Sequence, residues 1–189
     1  QLDDTNGFFK SQKDTKILLV NPRMGFSGVF IQHIPLGIIY TATESFHAGY
    51  DIEALDLRLF GNKDKQELER RLLENEYDYV GFSVWSGSPI QEAIELGKIV
   101  RKYSNNNTKI IWGGPHATFH PRNILEENWD VDYVISGYGS RALREFLDAK
   151  RLGNDISNIG GLAYKTNQGE IVYKQYDAGF EDLDFREIP

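Results

Sequence analysis

The residues best suited to chemistry gather where apolar runs give way to small ones. Ile110-Ile111-Trp112 passes directly into Gly113-Gly114-Pro115-His116-Ala117-Thr118. A short apolar run of this kind reads as an inner strand, and the glycines halt it. Two adjacent residues without Cβ let a group approach the backbone more closely than any side chain permits. The expected occupant is a flat, bulky ligand. Two further runs end in the same way: Val80-Gly81-Phe82-Ser83-Val84 leads into Trp85-Ser86-Gly87-Ser88, and Val131 to Ser136 leads into Gly137-Tyr138-Gly139-Ser140. The latter opens a helix, so its amides either greet a phosphate or serve only the turn. Trp85 and Trp112 end neighbouring strands, as core residues or as an apolar wall for a ring. His116 and His120 stand four apart, a spacing that serves a metal on a helix. Pro121 starts the next helix only after His120, so the pair is read as packing or hydrogen bonding within the loop, with no metal ligand assigned. His33 and His47 have less context still and fit surface or core roles. No residue is assigned a catalytic acid, base or nucleophile role.

The elements that must position these residues alternate along the chain. Strands are predicted at Lys16–Val20, Tyr50–Leu57, Tyr79–Val84, Lys109–Trp112 and Val131–Ser136. A helix from Pro35 to about His47 places Leu36, Ile39, Tyr40, Thr43 and Phe46 on its inner face. Asp64 and Glu67 have the spacing of a capping box for a helix to about Asn75, and Ser88 and Gln91 repeat it for the next. Ile90, Ala93, Ile94, Gly97 and Val100 then line one face. Further helices run from Pro121 to about Asn128, and after Ser140 with Leu143, Phe146 and Leu147 inward. This alternation predicts an α/β fold with a doubly wound, five-stranded parallel sheet, right-handed crossovers and ligands at the carboxyl ends of the strands. Gly160–Lys165 and Glu170–Gln175 flank Thr166-Asn167-Gln168-Gly169 as a C-terminal β-hairpin. The expected organisation is a leader over 1–15, an α/β domain over 16–152, and a hairpin with an acidic linker over 153–189.

Composition narrows the partners. The chain has 189 residues, 40% hydrophobic and 26% charged, enough for one ordinary domain. A formal charge of −7 argues against a nucleic-acid backbone, which needs clustered Lys and Arg. There is no cysteine, hence no disulfide framework, no zinc-thiolate site and no thiolate for an iron–sulfur cluster within this chain. No apolar run reaches membrane-spanning length and no signal-peptide pattern opens the chain, so no membrane partner is expected and a cytoplasmic location is. No Walker loop occurs, and Asn21-Pro22-Arg23-Met24-Gly25 after the first strand is not a Rossmann glycine fingerprint. The same place lacks the carboxylates by which a receiver domain holds magnesium.

Taken together, Val80-Gly81-Phe82-Ser83-Val84-Trp85, Ile110 to Ala117 and Ile135 to Ser140 resemble the cobalamin-binding domain of cobalamin-dependent radical SAM enzymes over about Lys16 to Lys150. The resemblance implies a Rossmann-like, flavodoxin-like fold and cobalamin as ligand. Ser83, Gly113 and Gly114 take the places that surround the nucleotide tail, with Ser86 a nearby alternative. Asn21, Pro22, Trp85, Pro115, His116, Gly137, Tyr138 and Gly139 complete the implied cofactor-binding set. The parent enzyme is implied to use a 4Fe-4S cluster and S-adenosylmethionine for methyl transfer or related radical chemistry, in a radical SAM domain of the same chain toward which 153–189 leads. Two departures stand out. The Asp-x-His-x-x-Gly that supplies a cobalt-ligating histidine in mutases and methionine synthase is absent, since Asn21 to Gly28 contains no histidine. Asp56-Leu57-Arg58-Leu59-Phe60-Gly61 copies its spacing only superficially. Where the family has Gly-Glu-Gly-Glu, this chain has Gly137-Tyr138-Gly139-Ser140. The alternative is a flavodoxin-like regulatory or interaction domain that has lost the cofactor.

Overall fold

The computed structural model describes residues 14–23, 34–127 and 129–176. Phe8 and Phe9 of the expected leader, Met24 to Gly28, His33 and the acidic stretch from Phe180 lie outside the described residues. In chain order come β1 (Lys16–Asn21), α1 (Leu36–His47), β2 (Asp51–Asp56), α2 (Asp64–Glu74), β3 (Tyr79–Ser83), α3 (Ser88–Tyr103), β4 (Lys109–Gly113), α4 (Pro115–Phe119), α5 (Pro121–Glu126), β5 (Tyr133–Ile135), α6 (Gly139–Leu152), β6 (Leu162–Lys165) and β7 (Ile171–Tyr173). Strands β1 to β5 are parallel in the order β2-β1-β3-β4-β5. The direction of winding reverses at β1, which has β2 on one side and β3 on the other, and such a switch point is where α/β sheets hold ligands.

The expected five strands are in fact seven. β6 pairs antiparallel with β5, and β7 antiparallel with β6. Left alone, β5 would present a row of unpaired backbone groups. Gly161, at φ 86°, turns the chain back so that its carbonyl accepts from Ser136 N–H at 2.8 Å, and the hairpin closes that edge. Ala163 and Leu162 are buried, one in each of the two cores that flank the parallel strands.

Both faces of the sheet are covered, which is why its inner strands read as continuous apolar runs. On one face Leu18, Val20, Val80, Phe82, Ile110 and Trp112 meet Leu68 and Leu72 of α2, Leu96 and Val100 of α3, and Ile124 and Leu125 of α5. On the other, Ile17, Leu19, Tyr79 and Ile111 meet Ile38 of α1 and Leu143, Phe146 and Leu147 of α6. Phe146 and Leu147 alone contribute on the order of 3–6 kcal/mol of burial. Gly153, left-handed at φ 69°, ends α6.

Several local expectations are corrected. The inner face of α1 is Ile38, Thr43 and Ser45, with Ala42 packed beside them; Thr43 was expected there, but Leu36 and Phe46 are 63% and 49% exposed. α1 must meet α6 as well as the sheet: its Glu44 N–H donates to Ser140 Oγ at 3.3 Å, and this second contact turns the buried stripe away from Leu36 and Phe46. Neither capping box forms. Gly87, at φ 94°, takes the cap position of α3, so Ser88 lies already inside the helix, and Gln91 reaches toward Glu95 instead. Lys63 caps α2 without a side-chain bond, and Glu67 pairs with Arg70 and Arg71. Leu57, expected to end the second strand, instead begins 3₁₀ turns over Leu57–Lys63 that are broken at Gly61. α4 was also not expected; Pro115 suits its first turn after Gly114 at φ 87°. Among the described residues no helix is long and apolar enough to cross a membrane.

Candidate functional site

At the carboxyl ends of β1, β3 and β4 the strand register aligns three residues. Val20 pairs with Phe82, which carries Asn21 to the side of Ser83, and Ser83 pairs with Gly113. Side chains alternate along a strand, so Asn21, Ser83 and Gly113 share the face of Leu19 and Ile111, the α1 and α6 side. Asn21 is buried, and its Nδ2 donates to Asp56 Oδ1 at 3.1 Å. Burial alone would raise the Asp56 carboxyl; hydrogen bonds from Arg58 and Asn21 outweigh that and hold it below the usual carboxylate range. Asp56, Arg58 and Gly61 are thus accounted for by this ion pair and by the 3₁₀ break. Pro22 is buried next to Asn21. Ser83 is half-buried, and its hydroxyl makes no hydrogen bond among the described residues.

The two glycines differ. A Cβ on Gly114 would stand 2.9 Å from Val84 N and 3.0 Å from Ser83 Oγ, and its φ of 87° excludes other residues in any case. This tight approach lets Val84 N–H donate to Gly113 O and His116 N–H donate to Val84 O. Gly114 therefore fastens loop to loop within the protein. A Cβ on Gly113 would meet nothing closer than Ile135 O at 3.8 Å. Its missing side chain is not required by its neighbours; it leaves a cradle beside the Ser83 hydroxyl.

The surrounding loops are tied to one another. Ser86 Oγ and His116 Nδ1 are hydrogen-bonded at 3.1 Å. His116 is buried, its ring stacks on Trp129 and lies 5.0 Å from that of His120, and its Nε2 has no partner among the described residues. Burial and the neighbouring His120 push the His116 imidazole below its ordinary value. Among the described residues no group of three or more His, Cys, Asp or Glu is arranged to hold a metal ion. Trp112 is core, packed on Trp129, whereas Trp85 is 48% exposed. Pro115 opens α4. Thr118, not singled out from the sequence, bridges two loops: its hydroxyl donates to Gly114 O and accepts from Gly137 N–H, both at 3.0 Å. The Gly137 amide is thereby engaged. Tyr138 is 52% exposed between the rings of Tyr40 and Tyr176, and Gly139 passes close to Thr41. Ser140 is buried against α1. Thr41 looks like an ordinary helix position in the sequence and Thr118 like one more small residue of the loop after the fourth strand; only the proximity of the loops gives them a role.

The two edges of the sheet contrast. At the amino ends most polar groups are paired: Asp78 accepts from Lys16 N–H, Thr108 donates to Tyr77 O, and Asp132 accepts from Ile110 N–H and Arg101, whereas Ser45 Oγ near the end of α1 is buried without a partner among the described residues. At the carboxyl ends Ser83 Oγ, Glu92 Oε1, Trp112 Nε1 and His116 Nε2 lack partners among the described residues. Ile34, Leu36, Trp85, Phe119 and Tyr138 stand exposed there. Apolar surface set around a narrow cradle suits a broad, flat ligand with a slender appendage.

Comparison with known proteins bears on that ligand. The B12 binding domain family matches residues 29–147. An uncharacterised methyltransferase of Pyrococcus horikoshii is 29% identical over 133 residues, 70% of this chain and 28% of its own length. The fold is that of TsrM from Kitasatospora setae, a radical S-adenosylmethionine methyltransferase solved with cobalamin and a 4Fe-4S cluster bound, at TM-score 0.70 and 24% identity over 86% of this chain and 29% of that one. It is also that of OxsB, a cobalamin-dependent S-adenosylmethionine radical enzyme solved with aqua-cobalamin and S-adenosylmethionine, at TM-score 0.73 and 16% identity over 93% of this chain and 24% of that one. The chain spans about a third or less of the length of the curated relatives it matches.

Proposed function

The chain belongs to the B12 binding domain family, and we propose that it is the cobalamin-holding module of a cobalamin-dependent radical SAM enzyme. The observation that carries this reading is the Gly113 cradle, open where no neighbour requires it to be, beside the unpartnered Ser83 hydroxyl. Ser83 offers a hydrogen bond to the nucleotide tail, and Gly113 admits it. Gly114 and Thr118 keep the cradle in shape, and Asn21 and Pro22 close its β1 side. Trp85, Phe119 and Tyr138 supply apolar contact for the corrin. His116, turned onto Ser86 and Trp129, fastens loops, with Ser86 as its partner. The first loop brings no histidine to cobalt, because Asn21 to Gly28 contains none. Tyr138 and Ser140 replace the family's carboxylates with an aromatic wall and an interhelical contact.

Bound cobalamin supplies a cobalt centre that carries a methyl group or takes part in radical chemistry. This module holds and orients it and catalyses nothing alone. The 4Fe-4S cluster and S-adenosylmethionine belong to a radical SAM domain elsewhere in the parent chain, since these 189 residues hold no cysteine. The cobalamin unit includes the hairpin of β6 and β7, which joins the same sheet, and the chain that follows it is the passage toward that domain. The family match disfavours a flavodoxin-like domain that has lost its ligand.

Gel filtration of the purified chain with hydroxocobalamin tests the reading. Corrin absorbance should comigrate with the protein, and Gly113→Leu should abolish it while leaving the circular dichroism spectrum unchanged. No retention at high micromolar ligand, or full retention by the leucine variant, would contradict it.

A further inference from the structure

A second cavity lies on the opposite face of the same edge. It has a volume of about 310 Å³ and is lined by Arg23, Asn62, Asp64, Lys65 and Glu92. Arg23 follows β1, Asp64 and Lys65 begin α2, and Glu92 lies near the start of α3, so every wall comes from chain close to the carboxyl ends of strands. Most of these groups are already engaged. Arg23 Nη1 donates to Gly61 O at 3.0 Å and to Asn62 Oδ1 at 3.1 Å. Lys65 is paired with Glu95, and Asp64 accepts from the Lys65 amide at 2.8 Å. Glu92 is the exception: its side chain is 22% exposed, Lys65 Nζ stands 3.7 Å from Oε2, and Oε1 is buried with no partner among the described residues. Burial, reinforced by Asp64 and Glu95, raises the Glu92 carboxyl above its ordinary value against the pull of Lys65 and Arg23.

An unpartnered buried acceptor calls for an N–H or O–H donor. An anion brings none. A cation gains little here, because Arg23 and Lys65 already offset the charges of Asp64 and Glu92 and leave no net field to draw one in. A neutral N–H donor remains. The rim of a corrin carries primary carboxamide arms, and a corrin astride this edge, with its tail in the cradle on the α1 and α6 face, presents arms to the α2 and α3 face.

We propose that this cavity is a carboxamide subsite, in which Glu92 Oε1 accepts an N–H from a propionamide arm on the corrin rim. The proposal rests on the cobalamin reading above and adds recognition of the rim on the face opposite the tail. Asn62 and Arg23 flank the arm, and the remaining volume is large enough for ordered water.

The test compares hydroxocobalamin with its separate monocarboxylic acids, each with one propionamide arm hydrolysed, in titrations of the intact chain followed by tryptophan quenching. One acid isomer should bind about tenfold or more weakly than hydroxocobalamin, the size of a lost hydrogen bond to a charged group. The other isomers should bind like the parent compound. Glu92→Gln, which can donate to a carboxylate, should erase the penalty for that isomer. Equal affinity for all the isomers overturns the subsite while leaving the cobalamin reading intact, and this wild-type comparison needs no variant to fold. Unchanged discrimination in a folded Glu92→Gln variant also overturns it. Failure to bind hydroxocobalamin at all defeats both readings.

Discussion

Gly113 and Gly114 are neighbours that answer to different forces. Gly114 is held by backbone conformation and by Val84, so Gly114→Ala should cost about 1–3 kcal/mol of stability. Gly113 has an ordinary strand conformation and room for a methyl group, so Gly113→Ala should stay within about 1 kcal/mol of the parent. Urea denaturation of the two variants checks the pair, and equal losses would refute the distinction. His116 gives a second residue-scale prediction. Its folded value lies below the ordinary one of about 6.5, so the unfolded chain binds more protons as pH falls through that value. The stability that comes from keeping its ring neutral and buried is complete above about pH 6.5 and is lost as pH drops toward the folded value. The difference in urea midpoint between the parent and His116→Asn should therefore narrow from about pH 7.5 to about pH 5.5; a constant difference contradicts the burial account. The placement of Ser83 and Gly113 at strand ends was legible in the sequence because each apolar run gives way there to small residues. The separate duty of Gly114 was not, because it depends on a φ angle and on the backbone of another strand.

Among the elements, the hairpin and the helix starts depart most from sequence reasoning. The short alternating runs after Gly153 identify two strands, yet nothing local says that they extend the main sheet. That follows from the open edge of β5 and the turn at Gly161. The amides of Ser136 and Gly161, which donate to Gly161 O and Lys174 O, should exchange with solvent at rates near those of the central strands. Exchange as fast as in an independent hairpin would show that β6 and β7 are only loosely joined. The capping boxes are the converse case: the spacing is present but the conformation is not, since Gly87 occupies the cap. Ser88→Ala should consequently cost under about 0.5 kcal/mol, less than the ~1 kcal/mol typical of a true cap. Thermal melts measure the difference, and a full cap's loss would contradict the geometry. On α1 the hydrophobic pattern misplaced the buried face, because a helix that contacts both a sheet and another helix need not bury its largest side chains.

On the scale of the whole molecule, function follows from asymmetry. Most polar groups at the amino edge of the sheet pair with one another, while several at the carboxyl edge stand open beside exposed aromatic residues. Strand and helix alternation made the parallel part of the sheet readable from the chain alone. The polar cavity around Glu92 was not readable, because its walls come from three segments far apart in sequence. Amide chemical-shift mapping as hydroxocobalamin is added to the isotopically labelled chain tests the central claim most directly. The shifts of Ser83, Gly113, Gly114 and Gly137 should change as the ligand saturates, while those of Asp78, Thr108 and Ile110 at the amino edge stay in place. Changes centred on the amino edge, or none at any edge at saturating ligand, would contradict the account.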